Sequence, residues 1–276
     1  MEYHKITSEI NSEIYTPPVS KYKISETKIP FQYPSNLLNP EDNEIKYDED
    51  GDIVLPRNKK GELVIEHKMN TELPLVGLQL WRGALLLADY ILANLKLFHN
   101  QNILELGSGV GLTSIVASMI AKEVICTDID SYGIIEVIKR NFKRNSKYVK
   151  AKVQTMELNF LDTNWSPRFM ERLNKTSIIL AADVIYDNDI TEGFVNTLAK
   201  LFNSDNRRVA FVALEKRFVF TISDLDSVAP MYEEFIYCIK RKNLKWKIEM
   251  LKTDFPQYFQ YNRVSHMILM KIYIEQ

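Results

Sequence analysis

NILELGSGVGLTSIVASMIAKEVICTD, Asn102 to Asp128, decides the fold. NILEL and EVICTD are short apolar runs suited to buried strands, and LTSIVASMIAK between them has the length and apolar spacing of a helix. Gly107, Gly109 and Gly111 link the first strand to that helix. Glycine relaxes the steric limits on backbone torsion, so a ligand can approach the main chain, and the N–H groups that open the next helix face it. The unit predicts parallel strand pairing.

The alternation continues outward. KVQTMEL, SIILAAD, RVAFVAL, KWKIEML and SHMILMKIYI read as further strands, with IIEVIKRNFKRN and ITEGFVNTLAKLF as helices. Covered strands of this kind predict a doubly wound α/β fold with a mostly parallel seven-stranded, Rossmann-like sheet. DFPQYFQYNR, between the last two strands, is short for a crossover helix and suits a hairpin, so the last strand is expected to run antiparallel.

Residues 1–70 read as an irregular N-terminal extension with one or two strands, and 71–276 as the main domain. Within the extension, VLPRNKKGELVIEHKM suggests a hairpin turning at Asn58 to Gly61, and YDEDGD reads as a solvated acidic turn. LVGLQLWRGALLLADYILANLKLF approaches the length of a membrane span, but Arg82, Asp89 and Lys96 recur at helical spacing, which describes an amphipathic core helix.

The 276 residues are 46% hydrophobic, enough for one sizeable core, and 35 basic against 36 acidic residues leave no global field to attract nucleic acid or a membrane. The basic run KRNFKRNSKYVK reads as a solvated helix face. Cys126 and Cys238 have no CxxC spacing and the four histidines are scattered, so neither a disulfide framework nor a metal site is expected. No signal-like start appears, and an intracellular, reducing compartment is the expectation.

A dinucleotide fingerprint would place its third glycine at position 112, which is Leu112, and no Gly-Lys-Ser/Thr marks a phosphate loop. Glu105 opposes a pyrophosphate and suits an ammonium. Asp128, ending the second strand, suits the two hydroxyls of a ribose. The ligand therefore looks like a nucleoside with an amino-acid end. In an open sheet it lies across the carboxyl ends of the strands, which brings Asp183 and Tyr186, just after the fourth strand, to the chemistry.

Strand, acidic residue, GxGxG, helix, strand and acidic end together resemble the S-adenosylmethionine-binding motifs of the class I, seven-strand methyltransferases. Asp183-Val-Ile-Tyr186 resembles the Asp-x-x-Tyr signature of the methyltransferase-like protein lysine methyltransferases, family sixteen. IEHKM, LWRGALLLADYIL and LEKR look like its methyltransferase-like protein twenty-two branch. The resemblance implies S-adenosyl-L-methionine as cofactor and a protein substrate presenting a lysine, namely Kin, a nucleic-acid-binding zinc-finger protein. It also implies a nuclear or cytoplasmic location. By motif, Trp81, Gly107, Ser108, Gly109 and Asp128 correspond to cofactor contacts, and Ala182 to the small residue before Asp-x-x-Tyr. Asn159 and Phe160 stand where the family often carries an adenine-packing Trp.

Asp183 and Tyr186 are the candidate catalytic residues, the first orienting the amine and the second walling the channel. Glu215 to Arg217 are candidates for the substrate mouth. No direct nucleic-acid binding is expected, and a monomer is the working assumption. Two other readings stand beside the leading one: a nucleic-acid or small-molecule methyltransferase, and a non-catalytic cofactor-binding interaction module.

Overall fold

The computed structural model describes residues 5–14, 25–37, 49–52, 57–221 and 226–275. Its elements in chain order are β1 (Ile6–Thr7), β2 (Ser25–Tyr33), β3 (Lys59–His67), β4 (Asn70–Thr71), α1 (Arg82–Ala93), α2 (Leu95–Phe98), β5 (Asn102–Leu106), α3 (Leu112–Ala117), β6 (Glu123–Asp128), α4 (Ile134–Arg144), β7 (Lys152–Glu157), α5 (Pro167–Leu173), β8 (Ile178–Ala182), α6 (Asn188–Ser204), β9 (Val209–Glu215), β10 (Val219–Thr221), β11 (Asp226–Val228), α7 (Pro230–Arg241), β12 (Trp246–Leu251) and β13 (Met267–Ile274).

Seven strands form one sheet in the order β12-β13-β9-β8-β5-β6-β7. The strands from β5 to β9 pair in parallel, and β13 runs antiparallel to both its neighbours. Side chains alternate between the faces with the period of a strand. Ile103, Ile178, Leu180 and Phe211 join the core beneath α1 and α3, whereas Leu104, Leu106, Ile179, Ala181 and Val212 pack under α6 and α7. Both faces are covered, which explains the unbroken apolar run of β8. The connection from β7 returns to pair β8 on the far side of β5, so the order reverses there and opens a crevice at the strands' carboxyl ends.

The core helix expected within LVGLQLWRGALLLADYILANLKLF starts at Arg82 and breaks at Asn94 into α1 and α2. Residues 73–93 have the length and hydropathy of a membrane span, but 67% of their apolar stretch is buried inside this protein. Of the charged positions of α1, Asp89 is buried and Arg82 half-buried. Asp89 accepts hydrogen bonds from Tyr258 N–H, Phe259 N–H and the Tyr261 hydroxyl and pairs with Arg263 at 2.6 Å, anchoring the aromatic loop before β13.

The extension departs from its sequence reading. Lys59 to Gly61 lie inside a nine-residue strand, so no turn forms there; β3 pairs with β2, Ser25↔His67 through Tyr33↔Lys59, and the other arm of the expected hairpin, residues 54–56, lies outside the described residues. The pairing buries Ile29, Phe31, Leu63 and Ile65 in the main core, a larger apolar gain than a local hairpin offers. In YDEDGD, residues 47 and 48 lie outside the described residues, and 49–51 form an exposed turn.

The basic α4 is likewise not a plain solvated face. Asn145 accepts from Val64 N–H at 2.9 Å and donates to Val64 carbonyl at 2.8 Å, and Asn141 does the same for Glu66 at 2.8 and 3.0 Å. Two carboxamides one turn apart thus complete the free edge of β3, while Arg140 and Arg144 pair with Glu66. Asn141 also donates to Val110 carbonyl in the glycine turn, tying the hairpin to that turn. Asn141→Ala strands these buried groups at about 1–3 kcal/mol each, so a loss of at least about 2 kcal/mol in urea unfolding is expected. An unchanged urea midpoint would contradict the edge-capping role.

Candidate active site

The glycine turn sits at the mouth of the crevice. Gly107 and Gly109 have φ of 64° and 54°, torsions that side chains rarely adopt. Gly109 also lies against Gly77, whose carbonyl oxygen would stand 2.9 Å from a Cβ at position 109. Gly111 does not line the crevice; it is the left-handed residue, φ 85°, immediately before α3.

Glu105 is buried on the α3 side of β5 and accepts a hydrogen bond from the Ser114 hydroxyl; burial pushes its carboxyl up to about 7. Asp128, at the end of β6, accepts from Gly109 N–H at 2.7 Å and Ile129 N–H at 2.8 Å, and burial raises it to about 6. A carboxylate has about four acceptor sites, so both oxygens retain room for a ligand's hydroxyl donors. Ser108 Oγ is buried and, a contact with the Cys126 thiol apart, has no hydrogen-bond partner. An orphaned hydroxyl in the wall of a cleft fits a ligand that completes it.

These groups meet in one cleft of about 110 Å³, lined by every predicted site residue except Gly111: Trp81, Glu105, Gly107, Ser108, Gly109, Asp128, Asn159, Phe160, Ala182, Asp183 and Tyr186. The Phe160 ring backs the glycine turn, 3.4 Å from a Cβ at Gly107, and tilts against Phe194 with centroids 5.6 Å apart. Gly193 permits this, since a Cβ there would lie 2.9 Å from Phe160 carbonyl. The Asn159 side chain accepts from Leu161 N–H and holds the turn. Val76, Gly77 and Leu80 complete the wall from the segment before α1. The sequence singled out none of them; Gly77 in an apolar run was the only available signal.

Asp183 has φ 52°, an uncommon torsion for a residue with a side chain. Its two carboxylate oxygens accept from Gly83 N–H at 2.7 Å and Glu215 N–H at 2.9 Å, clamping the end of β8 to the start of α1 and the end of β9. A Cβ at Gly83 would lie 2.5 Å from Asp183 Oδ2, so only glycine lets the clamp close. Burial raises Asp183 to about 6. The phenol of Tyr186, a residue 39% exposed, is also raised, by desolvation at the cleft and by the neighbouring Asp128 and Asp187 carboxylates, so it is protonated at neutral pH and cannot serve as a base.

A second cavity, about 200 Å³, adjoins the first and shares Val76, Trp81, Asp183 and Tyr186 with it. Ile6, Leu73, Ile185, Leu214 and Met231 make it largely apolar, and Glu215, Lys216 and Arg217 lie along it as the sequence suggested.

The buried carboxylates link stability to pH. Glu105 is raised to about 7, and Asp89, Asp128 and Asp183 to about 6, each chiefly by burial, so folding favours their neutral forms. Their contribution is fully present below the unfolded values near 4 and is lost as pH rises through 6 to 7. His67, lowered by burial, works in the opposite direction but is a single group. The melting temperature of the free protein should therefore fall between pH 5 and pH 8. A cationic amino-acid ligand needs ionised Glu105, so its affinity should rise over the same range. Calorimetry at the two pH values reads both, and ligand affinity independent of pH would remove Glu105 from the contact.

A parallel sheet reversing at β5, with acidic residues ending its first two parallel strands around a glycine turn, is the architecture of the seven-strand, S-adenosylmethionine-dependent methyltransferases. The chain belongs to the lysine methyltransferase family, whose sequence profile matches residues 57–242. Methyltransferase-like protein 22 of Mus musculus is 38% identical over 232 residues, covering 76% of this chain and 59% of that protein. Its Homo sapiens counterpart is 36% identical over 232 residues, covering 76% and 57%. The chain thus spans less than three fifths of the length of these relatives. Among solved structures, magnesium protoporphyrin IX methyltransferase from Synechocystis superposes with TM-score 0.46 at 14% identity, over 70% of this chain and 81% of that one.

Proposed function

We propose that the chain is an S-adenosylmethionine-dependent protein-lysine N-methyltransferase. The observation that carries this reading is the pair of adjoining cavities: a cleft whose Glu105, Ser108 and Asp128 suit a nucleoside with an amino-acid end, and a second whose Ile6, Leu73, Ile185 and Leu214 suit a lysine stem. Glu105 would hold the ammonium, Asp128 the ribose hydroxyls and Phe160 the adenine face. The bound cofactor supplies an electrophilic sulfonium methyl.

The protein must then present a neutral amine. Lysine has a reference pKa of about 10.4, and a carboxylate alone would raise it further. The apolar walls Ile185 and Leu214 oppose this by desolvating the ammonium. Asp183, each of whose oxygens accepts from a backbone amide, serves by fixing the walls that aim the amine, and the Tyr186 ring lies beside it. Loss of the proton to water completes the scheme without a dedicated base.

Tritiated-methyl transfer from S-adenosylmethionine into a proteome extract tests the reading. A protease-sensitive labelled band is expected, and nuclease-sensitive label alone would overturn it. Kin, the nucleic-acid-binding protein implied by the family resemblance, is the purified substrate to try first. Action as a monomer in the nucleus or cytoplasm belongs to the same proposal.

A further inference from the structure

Ile6 lines the second cavity, although it lies about fifty residues before the part of the chain that matches the family. The segment carrying it, residues 5–14, is held at several points. β1 pairs antiparallel with β4, Ile6↔Thr71 and Thr7↔Asn70. The buried Gln79 carboxamide accepts from Ser8 N–H at 2.8 Å and donates to Ile6 carbonyl at 3.0 Å, and Gln79 also borders the cofactor cleft. Asn11 donates to Met69 carbonyl at 2.6 Å. Glu13 pairs with Arg82, which turns its other face to Glu215, and accepts from Asn262 N–H at 2.7 Å. The side chains of Arg82, Glu13 and Glu215 are only 9–11% exposed, so the contact is built into the protein.

The rim next to this segment is loosely paired. Arg217 lies over the Trp81 ring, 4.8 Å from its centroid, and reaches Glu9 at 3.7 Å, with the two side chains 50% and 45% exposed. An exposed pair of that kind contributes little, so another carboxylate can replace Glu9 at small cost. Trp81 holds the guanidinium in place during such an exchange.

Resting on the lysine-methyltransferase reading, we propose that residues 5–14 form the substrate-selecting wall of the lysine cavity, which admits a lysine with an acidic neighbour whose carboxylate replaces Glu9 on Arg217. Ile6 supplies the apolar contact for the stem. The Glu13–Arg82–Glu215 pairing fixes this wall relative to the rim.

The test uses the full chain and a synthetic pool of peptides with a central lysine and randomised flanks. Methyl transfer from S-adenosylmethionine is read by mass spectrometry, and cofactor affinity by calorimetry. Wild type should favour peptides with Asp or Glu near the lysine. Arg217→Gln should erase that preference, and Ile6→Trp should cut total transfer at least tenfold; both should bind cofactor as wild type does, which also shows that they fold. Glu13→Gln, a milder change, should lower transfer in the same direction. Wild-type-like transfer and flank preference in Ile6→Trp and Arg217→Gln would overturn the wall while leaving lysine methylation intact. Cofactor binding by wild type without transfer to any lysine peptide would overturn the underlying reading, and the wall with it.

Discussion

Asp183→Ala should lose methyl transfer by roughly 10²-fold or more while its cofactor affinity stays unchanged, because misplacement by about 1 Å is enough for such a loss. The carboxylate joins three pieces of the site: Gly83 beside Trp81, the end of β8, and Glu215 beside Lys216 and Arg217. Removing it strands two amide donors, at about 1–3 kcal/mol each if they stay buried, so the α1 start and the β9 end should drift apart. Asp183→Asn separates position from charge. Its amide can accept at one terminal atom only and turns a donor toward the other N–H, so it should resemble Ala rather than wild type. Single-turnover transfer with calorimetric cofactor binding reads both variants. Full transfer by Asp183→Asn would show that the clamp does not position the reacting groups.

The sequence displayed the sheet clearly because its inner strands β5, β6, β8 and β9 are buried on both faces, and such strands carry their own signature as apolar runs. The cleft at the glycine turn was nearly as legible, since glycines and acidic strand ends are local features. Two kinds of information were not local. The edge of β3 is completed by Asn141 and Asn145, more than seventy residues away, and side chains that mimic a strand leave no periodicity to detect. The charged residues of α1 looked solvated because helical spacing reports a common face and says nothing about what covers it; Asp89 and Arg82 meet partners from the two ends of the chain. The surroundings of Asp183 were legible only in part. Its place after β8 pointed to the chemistry, but its backbone partners became visible only once α1 and β9 stood beside it.

The glycine turn permits a controlled test, because two glycines with similar torsions have opposite surroundings. Gly109, φ 54°, has Gly77 carbonyl 2.9 Å from where a Cβ would sit, while Gly133, φ 76°, has nothing within 4 Å. Alanine at either position pays the left-handed backbone cost of roughly 1–2 kcal/mol. At Gly133 the penalty ends there, so thermal stability should drop with cofactor binding intact. At Gly109 the methyl group meets backbone, which cannot rotate aside, and the segment carrying Val76, Gly77 and Leu80 must move away from the cleft. The same movement would disturb the Gly109 N–H bond that orients Asp128. Losing one or two charge-assisted hydrogen bonds of about 1.5–3 kcal/mol each predicts a cofactor affinity at least tenfold weaker, and roughly a hundredfold when both Asp128 and the segment shift. Calorimetric titration of S-adenosylmethionine into the two variants decides the matter, since equal affinities would mean that the approach of Gly77 to Gly109 does not shape the cofactor site.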